Sequence, residues 1–402
     1  MTESDATLPR SEKPRSKFLL RLLTALFCAP VIVLLIVIVW HATRPKPRNA
    51  EDYIAQLMSP QTDLQTILEL YPALLAYDDF HPTREIRDED GVRDLMFRPQ
   101  ILAKVMAVES ILMIFSGERD KALSLLCAVY HHGSLLQKVQ DGLNPSDKLS
   151  ALYRLTGAQT RIRAATAMKL YALNACVTGD DYTRFIEATT DLTTRARAMR
   201  AFHLEYNAIM DRDDVTDKMA DSALELARMA AGARRHFLRT GAMPTTAADF
   251  GPFPGNRYPK DPFDGKPVRF TVTTNTLVVY TIGPDMVDDR AQISYVFGPN
   301  PHSSGDVILP VPNDREFPFP KAPVTATDVS DLHKQFPNGM PPDSFGPVGG
   351  KLKTTTSPLC VYSCGPKAWD PPNLATYEIT AGYDPTNGLV SEGDLFVEIP
   401  KP

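Results

Sequence analysis

Three regimes of hydrophobic spacing follow one another along the chain. Leu22 to Trp40 is an uncharged run of nineteen residues, wholly apolar from Val31 to Val39. At about 1.5 Å per residue it matches the roughly 30 Å hydrocarbon core of a bilayer, so it predicts a transmembrane helix over 18–41. The run exceeds the apolar core of a signal peptide, and His41-Ala42-Thr43-Arg44-Pro45 offers no small-x-small cleavage site. From about 51 to 211 the period becomes helical. Ile101, Val105, Val108, Leu112 and Phe115 mark one buried face, and Leu152, Leu155, Ile162, Ala165, Met168 and Ala172 another. Asp181 to Met210 reads as a further long helix. After Asp214 a last amphipathic helix carries Val215, Met219, Ala223, Leu226, Ala230, Ala233 and Phe237 inward and stops at Gly241, with Pro244 beyond. The period then drops to two: Val268, Phe270 and Val272 alternate, and Leu277 to Ile282 reads as a buried strand.

The expected fold class is therefore α+β. A single N-terminal transmembrane helix leads to an all-α helical bundle and then to two small antiparallel β modules, the first preceded by a long helix. The boundaries are a basic tail 1–17, the membrane segment 18–41, a helical domain 50–212, an α+β module 214–312, a Pro-rich linker 313–322 and a second β module 323–402. Proline supports this division, because 25 of 35 fall after residue 243. Two segments of the modules align without gaps at an offset of 82. Pro259-Lys260-Asp261-Pro262-Phe263 falls on Pro341-Pro342-Asp343-Ser344-Phe345, and Val279-Tyr280-Thr281-Ile282-Gly283-Pro284 on Val361-Tyr362-Ser363-Cys364-Gly365-Pro366. Six residues later in register, Ser303-Ser304-Gly305-Asp306-Val307 matches Ser391-Glu392-Gly393-Asp394-Leu395.

Charge refines the picture without naming a reaction. The chain of 402 residues carries net charge −5, which does not suit a basic nucleic-acid-binding surface, so no nucleic acid partner is expected. Five basic residues precede the apolar run (Arg10, Lys13, Arg15, Lys17, Arg21) and three follow it (Arg44, Lys46, Arg48). That places the N-terminus in the cytoplasm and residues 42–402 in the periplasm, with the bilayer as partner through 18–41. His131-His132 point about 100° apart on a helix and do not make a paired-ligand face, so satisfied or solvent-facing histidines are the reading. Cys360 and Cys364, on one face of a strand, lie about 13 Å apart and cannot bridge, and no cysteine pair has zinc spacing. Phosphate-loop, dinucleotide and nucleophile-elbow motifs are missing. Asp261, Asp264 and Asp343 are acids in Pro/Gly turn settings.

The first module resembles the C-terminal domain of the major pseudopilin of bacterial type II secretion systems. The residues that carry the likeness are Phe237 to Pro244, Tyr258 to Pro267, Tyr280-Thr281-Ile282-Gly283-Pro284-Asp285 and Gly305-Asp306-Val307. The whole chain is similar to bacterial single-span membrane proteins with a helical middle and this tail. Two features depart from a pseudopilin: about 170 residues separate Trp40 from Asp214, and the prepilin cleavage signature is missing around Arg15-Ser16-Lys17-Phe18-Leu19. The resemblance implies calcium as the one cofactor, held by Asp285 and Asp306 with Asp288 or Asp289, carbonyls and water completing six to eight oxygens. In the second copy Lys367 stands in place of Asp285 and Pro371 in place of Asp289, which would replace the ion with an ammonium. The competing reading of Gly283-Pro284-Asp285 is an ordinary β-turn. Three functions stay open: a non-enzymatic envelope protein acting through unknown protein partners, a membrane-anchored enzyme with a dispersed site between helical and β domains, and an accessory part of a secretion machine.

Overall fold

The computed structural model describes residues 50–59, 61–77, 80, 89–137, 148–176, 178–204, 211–272, 276–295, 304–312, 323–336, 339–341, 343, 351–363 and 395–402. Helices α1 (Ala50–Leu57) and α2 (Leu64–Leu70) lead through a 3-10 turn, Tyr71–Ala76, to α3 (Glu89–Phe115), α4 (Arg119–Gln137), α5 (Lys148–Leu170), α6 (Gly179–Leu204) and α7 (Asp211–Thr240). Strands β1 (Arg269–Val272), β2 (Thr276–Thr281) and β3 (Val307–Pro312) form one antiparallel sheet. A short helix α8 (Val329–Lys334) precedes a second sheet of β4 (Lys353–Thr356), β5 (Leu359–Ser363) and β6 (Leu395–Glu398).

The α+β class holds, but its expected opening on a membrane-spanning helix is corrected. Among the described residues no helix is long and apolar enough to cross a membrane. The long helices that are described bury charge instead, α7 carrying Asp221, Glu225, Arg228 and Arg234 inside. Segment 18–41, where that expectation fell, lies outside the described residues, as does the linker 313–322.

Helix α7 organises residues 49–402, which cluster as one unit. Every residue from Ala220 to Arg234 is buried, because α5 and α6 pack on one side of the helix and β2 and β3 on another. The sequence stripe from Ala223 to Phe237 is thus inside, and so is the polar side. Gly241 ends the helix at φ 76°, its N–H donating to Phe237 O at 2.8 Å, a conformation glycine adopts without a Cβ clash. One contiguous core continues from here through both sheets. The second sheet joins it at the end of α3, where Phe115 and Phe336 rings lie 5.3 Å apart and Val324 N donates to Phe115 O at 2.8 Å.

Helices α4 and α5 approach backbone to backbone. A Cβ on Gly133 would come within 2.6 Å of Gly157 O, and one on Gly157 within 2.4 Å of Gly133 O. That contact sets which face of α5 turns inward. Leu155, expected inside, is 39% exposed, while Thr156, Thr160 and Arg161 are buried beside Ala164, Ala165 and Met168. The Arg161 guanidinium donates to Tyr130 Oη at 2.9 Å, Gln137 Oε1 at 2.6 Å and Asp217 at 3.3 Å, and pairs closely with Asp221. Tyr130 Oη in turn donates to Asp221 at 2.8 Å. Three helices are tied by one desolvated cation. A second buried arginine, Arg228, binds Glu225 at 2.5 Å and Thr190 Oγ1 of α6 at 2.9 Å.

The histidine pair is buried, with one ring nitrogen of each engaged. His131 Nε2 meets Tyr77 O at 2.6 Å, and His132 Nδ1 meets Tyr71 Oη at 2.6 Å. His132 Nε2 has no hydrogen-bond partner. Burial, and then the His131 charge, pull the His132 pKa from 6.5 down to about 3. Cys127, Cys176 and Cys360 are buried free thiols.

The two sheets repeat each other in register. Val279 lies opposite Phe270 and Leu309, and Val361 opposite Thr354 and Val397. β5 therefore follows β2 at the offset of 82 and β6 follows β3 at 88. The entering loops match too: Val268 N donates to Pro259 O at 2.9 Å, and Leu352 N to Pro341 O at 2.8 Å. The outer strand β3 carries Pro310 and Pro312, as edge strands tolerate.

Removing one partner of the Arg161 pair strands a charge, so Asp221→Ala is expected to cost about 3–5 kcal/mol in urea unfolding, and Arg161→Met with Asp221→Leu much less. An unchanged midpoint in Asp221→Ala would show that the pair is dispensable. A histidine whose folded pKa is depressed binds its proton in the unfolded chain first, so its contribution is complete above about 6.5 and is lost as pH falls toward 3. His132→Asn is expected to flatten the decline of unfolding free energy between pH 6.5 and 5, measured against the parent across that range.

Candidate interaction loop

Between β2 and β3 the chain leaves the sheet in a long loop, of which residues 283–295 and 304–306 are described. It is fastened by its own carboxylates. Asp285 accepts Gly305 N–H at 2.8 Å with one oxygen and Val287 N–H at 3.2 Å with the other. Asp288 accepts Arg290 N–H at 3.0 Å, and Asp306 accepts Ala291 N–H at 2.7 Å. Backbone bonds close the return: Asp306 N donates to Ile293 O and Tyr295 N to Asp306 O, both at 2.8 Å. Gly283 and Gly305 are required by contact, since a Cβ on Gly283 would lie 2.0 Å from Gly305 O.

The loop is joined to the sheet through Arg269 at the start of β1. Its Nη1 donates to Asp261 at 2.7 Å, its Nε meets Asp288 at 3.1 Å, and its Nη2 pairs closely with Asp264. Asp261 is buried and also accepts the N–H groups of Phe263 at 2.8 Å and Ile282 at 2.9 Å. Burial pushes the Asp261 carboxyl up, against those amides and Arg269. Asp264 accepts Lys266 N–H at 2.9 Å. One guanidinium thus holds the Pro-rich entry, the strand and the outer loop together. The second module keeps half of this arrangement: Asp343 is buried and accepts Ser363 Oγ at 2.7 Å, one residue before the position matching Ile282. Lys353 faces Tyr362 as Arg269 faces Tyr280, so a cation stands at the same register position.

Asp285, Asp288 and Asp306 therefore share one loop, as the sequence suggested, and Asp289 contributes its carbonyl to Gln292 N at 3.1 Å. Their fit to calcium can be tested on the donors. Asp285 has both oxygens on backbone amides, and Asp288 has one on an amide and one on Arg269. Asp306 is fully buried and keeps Oδ1 without a hydrogen-bond partner. Burial, with the nearby Asp288 and Asp289 charges, raises its carboxyl above the usual range against the Ala291 and Asp289 amides. One open oxygen is far from six. Among the described residues no group of three acid, histidine or cysteine side chains is placed to hold a metal ion. The described donors do not make a calcium site, and the corresponding residues of the second copy, Lys367, Asp370, Pro371 and Asp394, lie outside the described residues.

No family model, curated protein or solved structure matches the chain. The loop must be read from its own chemistry. What the carboxylates hold in place is apolar: Met286 is 54% exposed, Val287 53% and Ile293 49%. Met286, Arg290 and Ala291 sit at φ 61°, 56° and 58°, so this path is imposed on residues that rarely adopt it. Sequence reasoning found the aspartates and missed both Arg269 and this display. The signal for Arg269 was its place directly after Lys266-Pro267-Val268, at the head of an alternating strand.

Asp285→Ala removes acceptors for two amides and is expected to lower stability by about 1–3 kcal/mol while increasing amide exchange at Val287 and Gly305. Millimolar calcium against EDTA is expected to leave the melting temperature of the parent unchanged, as scanning fluorimetry would show. A clear upward shift lost in Asp285→Ala would restore the metal reading.

Proposed function

We propose that this chain is a non-enzymatic envelope protein that binds a protein partner through the loop between β2 and β3. The observation that carries the reading is the exposure of Met286, Val287 and Ile293 on the stretch 285–293, whose backbone is tied by the carboxylates of Asp285, Asp288 and Asp306. Large apolar side chains in water mark contact sites, and a fixed loop loses little conformational freedom on binding. The two modules are read as pseudopilin-type heads, a view supported by their matching strand order and register and by the motifs from Tyr258 to Val307. The bilayer as partner rests on the uncharged run from Leu22 to Trp40, and the basic residues before it favour a cytoplasmic N-terminus with residues 42–402 in the periplasm.

The test is a photo-crosslinking residue at Val287 in the full-length protein in its native cell, followed by membrane fractionation. The expected result is one discrete adduct in the membrane fraction, lost when Met286→Asp and Ile293→Asp are introduced together. An adduct with a secretin or pseudopilus component would place the chain in a secretion machine. Diffuse labelling, or an adduct indifferent to both substitutions, would overturn the reading.

A further inference from the structure

At the far end of α7 its last turn meets the first turn of α6 and the 3-10 turn Ala247–Phe250 around a cleft of about 480 Å³. That is the size of pocket that takes a small organic molecule or the end of a peptide. Its walls are mainly apolar, with Leu238, Phe250 and Pro252, and two arginines one helical turn apart, Arg235 and Arg239, open on it.

Arg235 is anchored. Its Nη2 donates to Pro252 O at 2.9 Å and to Phe250 O at 3.3 Å, and Nη1 reaches Thr183 Oγ1 at 3.5 Å. Arg239 Nη2 lies 3.4 Å from His236 Nδ1, on its own helix. Among the described residues neither arginine has a carboxylate at ion-pair distance, and the Glu187 charge acts on Arg235 from further off. The acids beside them do not fill that role. Asp249 turns its Oδ2 to Thr245 and Thr246, whose N–H groups it accepts at 3.0 and 2.7 Å, and Asp180 stands exposed at the rim. Burial, and then the Arg239 charge, hold the Arg235 pKa below its usual value, as two like charges in one recess must. The start of α6 is not a free anion site either. Asp181 N donates to Thr178 Oγ1 at 3.1 Å, and Thr178 N to Asp181 at 2.9 Å.

We propose that this cleft binds an organic carboxylate with an adjoining apolar group. A guanidinium fork matches a carboxylate with two parallel hydrogen bonds, and the anion relieves the repulsion between Arg235 and Arg239. The apolar wall takes the neighbouring side chain. Asp180 at the rim disfavours a doubly charged phosphate, which selects the singly charged group. Two sources share this chemistry, a free carboxylic acid and the C-terminus of a peptide ending in an aliphatic residue.

The experiment measures fluorescence polarisation of a labelled tetrapeptide ending in a free leucine carboxylate on the full-length protein. The same peptide amidated at its end serves as control. The free acid is expected to bind and the amide to bind at least tenfold more weakly. Arg239→Gln, exposed and outside the core, is expected to abolish binding with an unchanged melting temperature, and Arg239→Lys to retain part of it. Competition by N-acetyl-leucine as well as by unlabelled peptide would identify a small acid as occupant, and competition by the peptide alone a chain terminus; either supports the proposal. Equal binding of acid and amide, full binding by Arg239→Gln, no binding at all, or stronger displacement by inorganic phosphate would overturn it.

Discussion

The structure depends on burying a charged helix on all sides. α7 lies between the helical bundle and the first sheet, and such a position ordinarily demands an apolar sequence. Here Asp217, Asp221, Glu225 and Arg228 occupy it, and the arrangement stands because Arg161 on α5 and Tyr130 on α4 meet the two aspartates, while Arg228 meets Glu225 within the helix and Thr190 on α6. A buried ion pair adds little net stability over apolar groups of the same shape, but a single missing partner is costly. What the network supplies is registry. α7 can slide neither along α5 nor around its own axis without stranding a charge, and the sheet that rides on it through Ser222 and Thr281 inherits that position.

The two modules show one scaffold used with different fastenings. Strand order, ladder register and the carbonyls of Pro259 and Pro341 coincide, as does a buried aspartate beneath the central strand. The hairpin differs, since two residues fewer separate Thr356 from its partner Leu359 than Val272 from Leu277. The cation on the entering strand differs as well. Arginine at 269 has a planar fork that serves three carboxylates at once, whereas lysine at 353 presents a compact charge on a flexible stem. In the first copy the fork ties Asp288 of the outer loop to the sheet.

Much of this was legible along the chain, because it rests on local chemistry. The stop at Gly241, the period-two strands, the tandem copies and the turn setting of Asp261 each announce themselves within a few residues. The face of α5 did not. Hydrophobicity pointed to Leu155, yet two glycines twenty-four positions apart, Gly133 and Gly157, decided the packing, and no local pattern couples them. No spacing along the chain marks Arg161 or Arg228 as buried, because Tyr130, Asp217 and Asp221 reach the first, and Thr190 the second, from other helices. In the loop the aspartates were visible as acids, but not which of their oxygens backbone amides would occupy. That depends on the path of the chain at Met286, Arg290 and Ala291, which sequence alone does not disclose.

The prolines of β3 bear on how the two sheets coexist. Residues two apart along a strand send their N–H groups to the same side, so Pro310 and Pro312 delete two donors from one flank of the strand. A newcomer aligning there would find carbonyls without matching amides. Pairing of another strand along that border is weakened by two missing hydrogen bonds, and the two short sheets of like register stand as separate three-stranded units among the described residues.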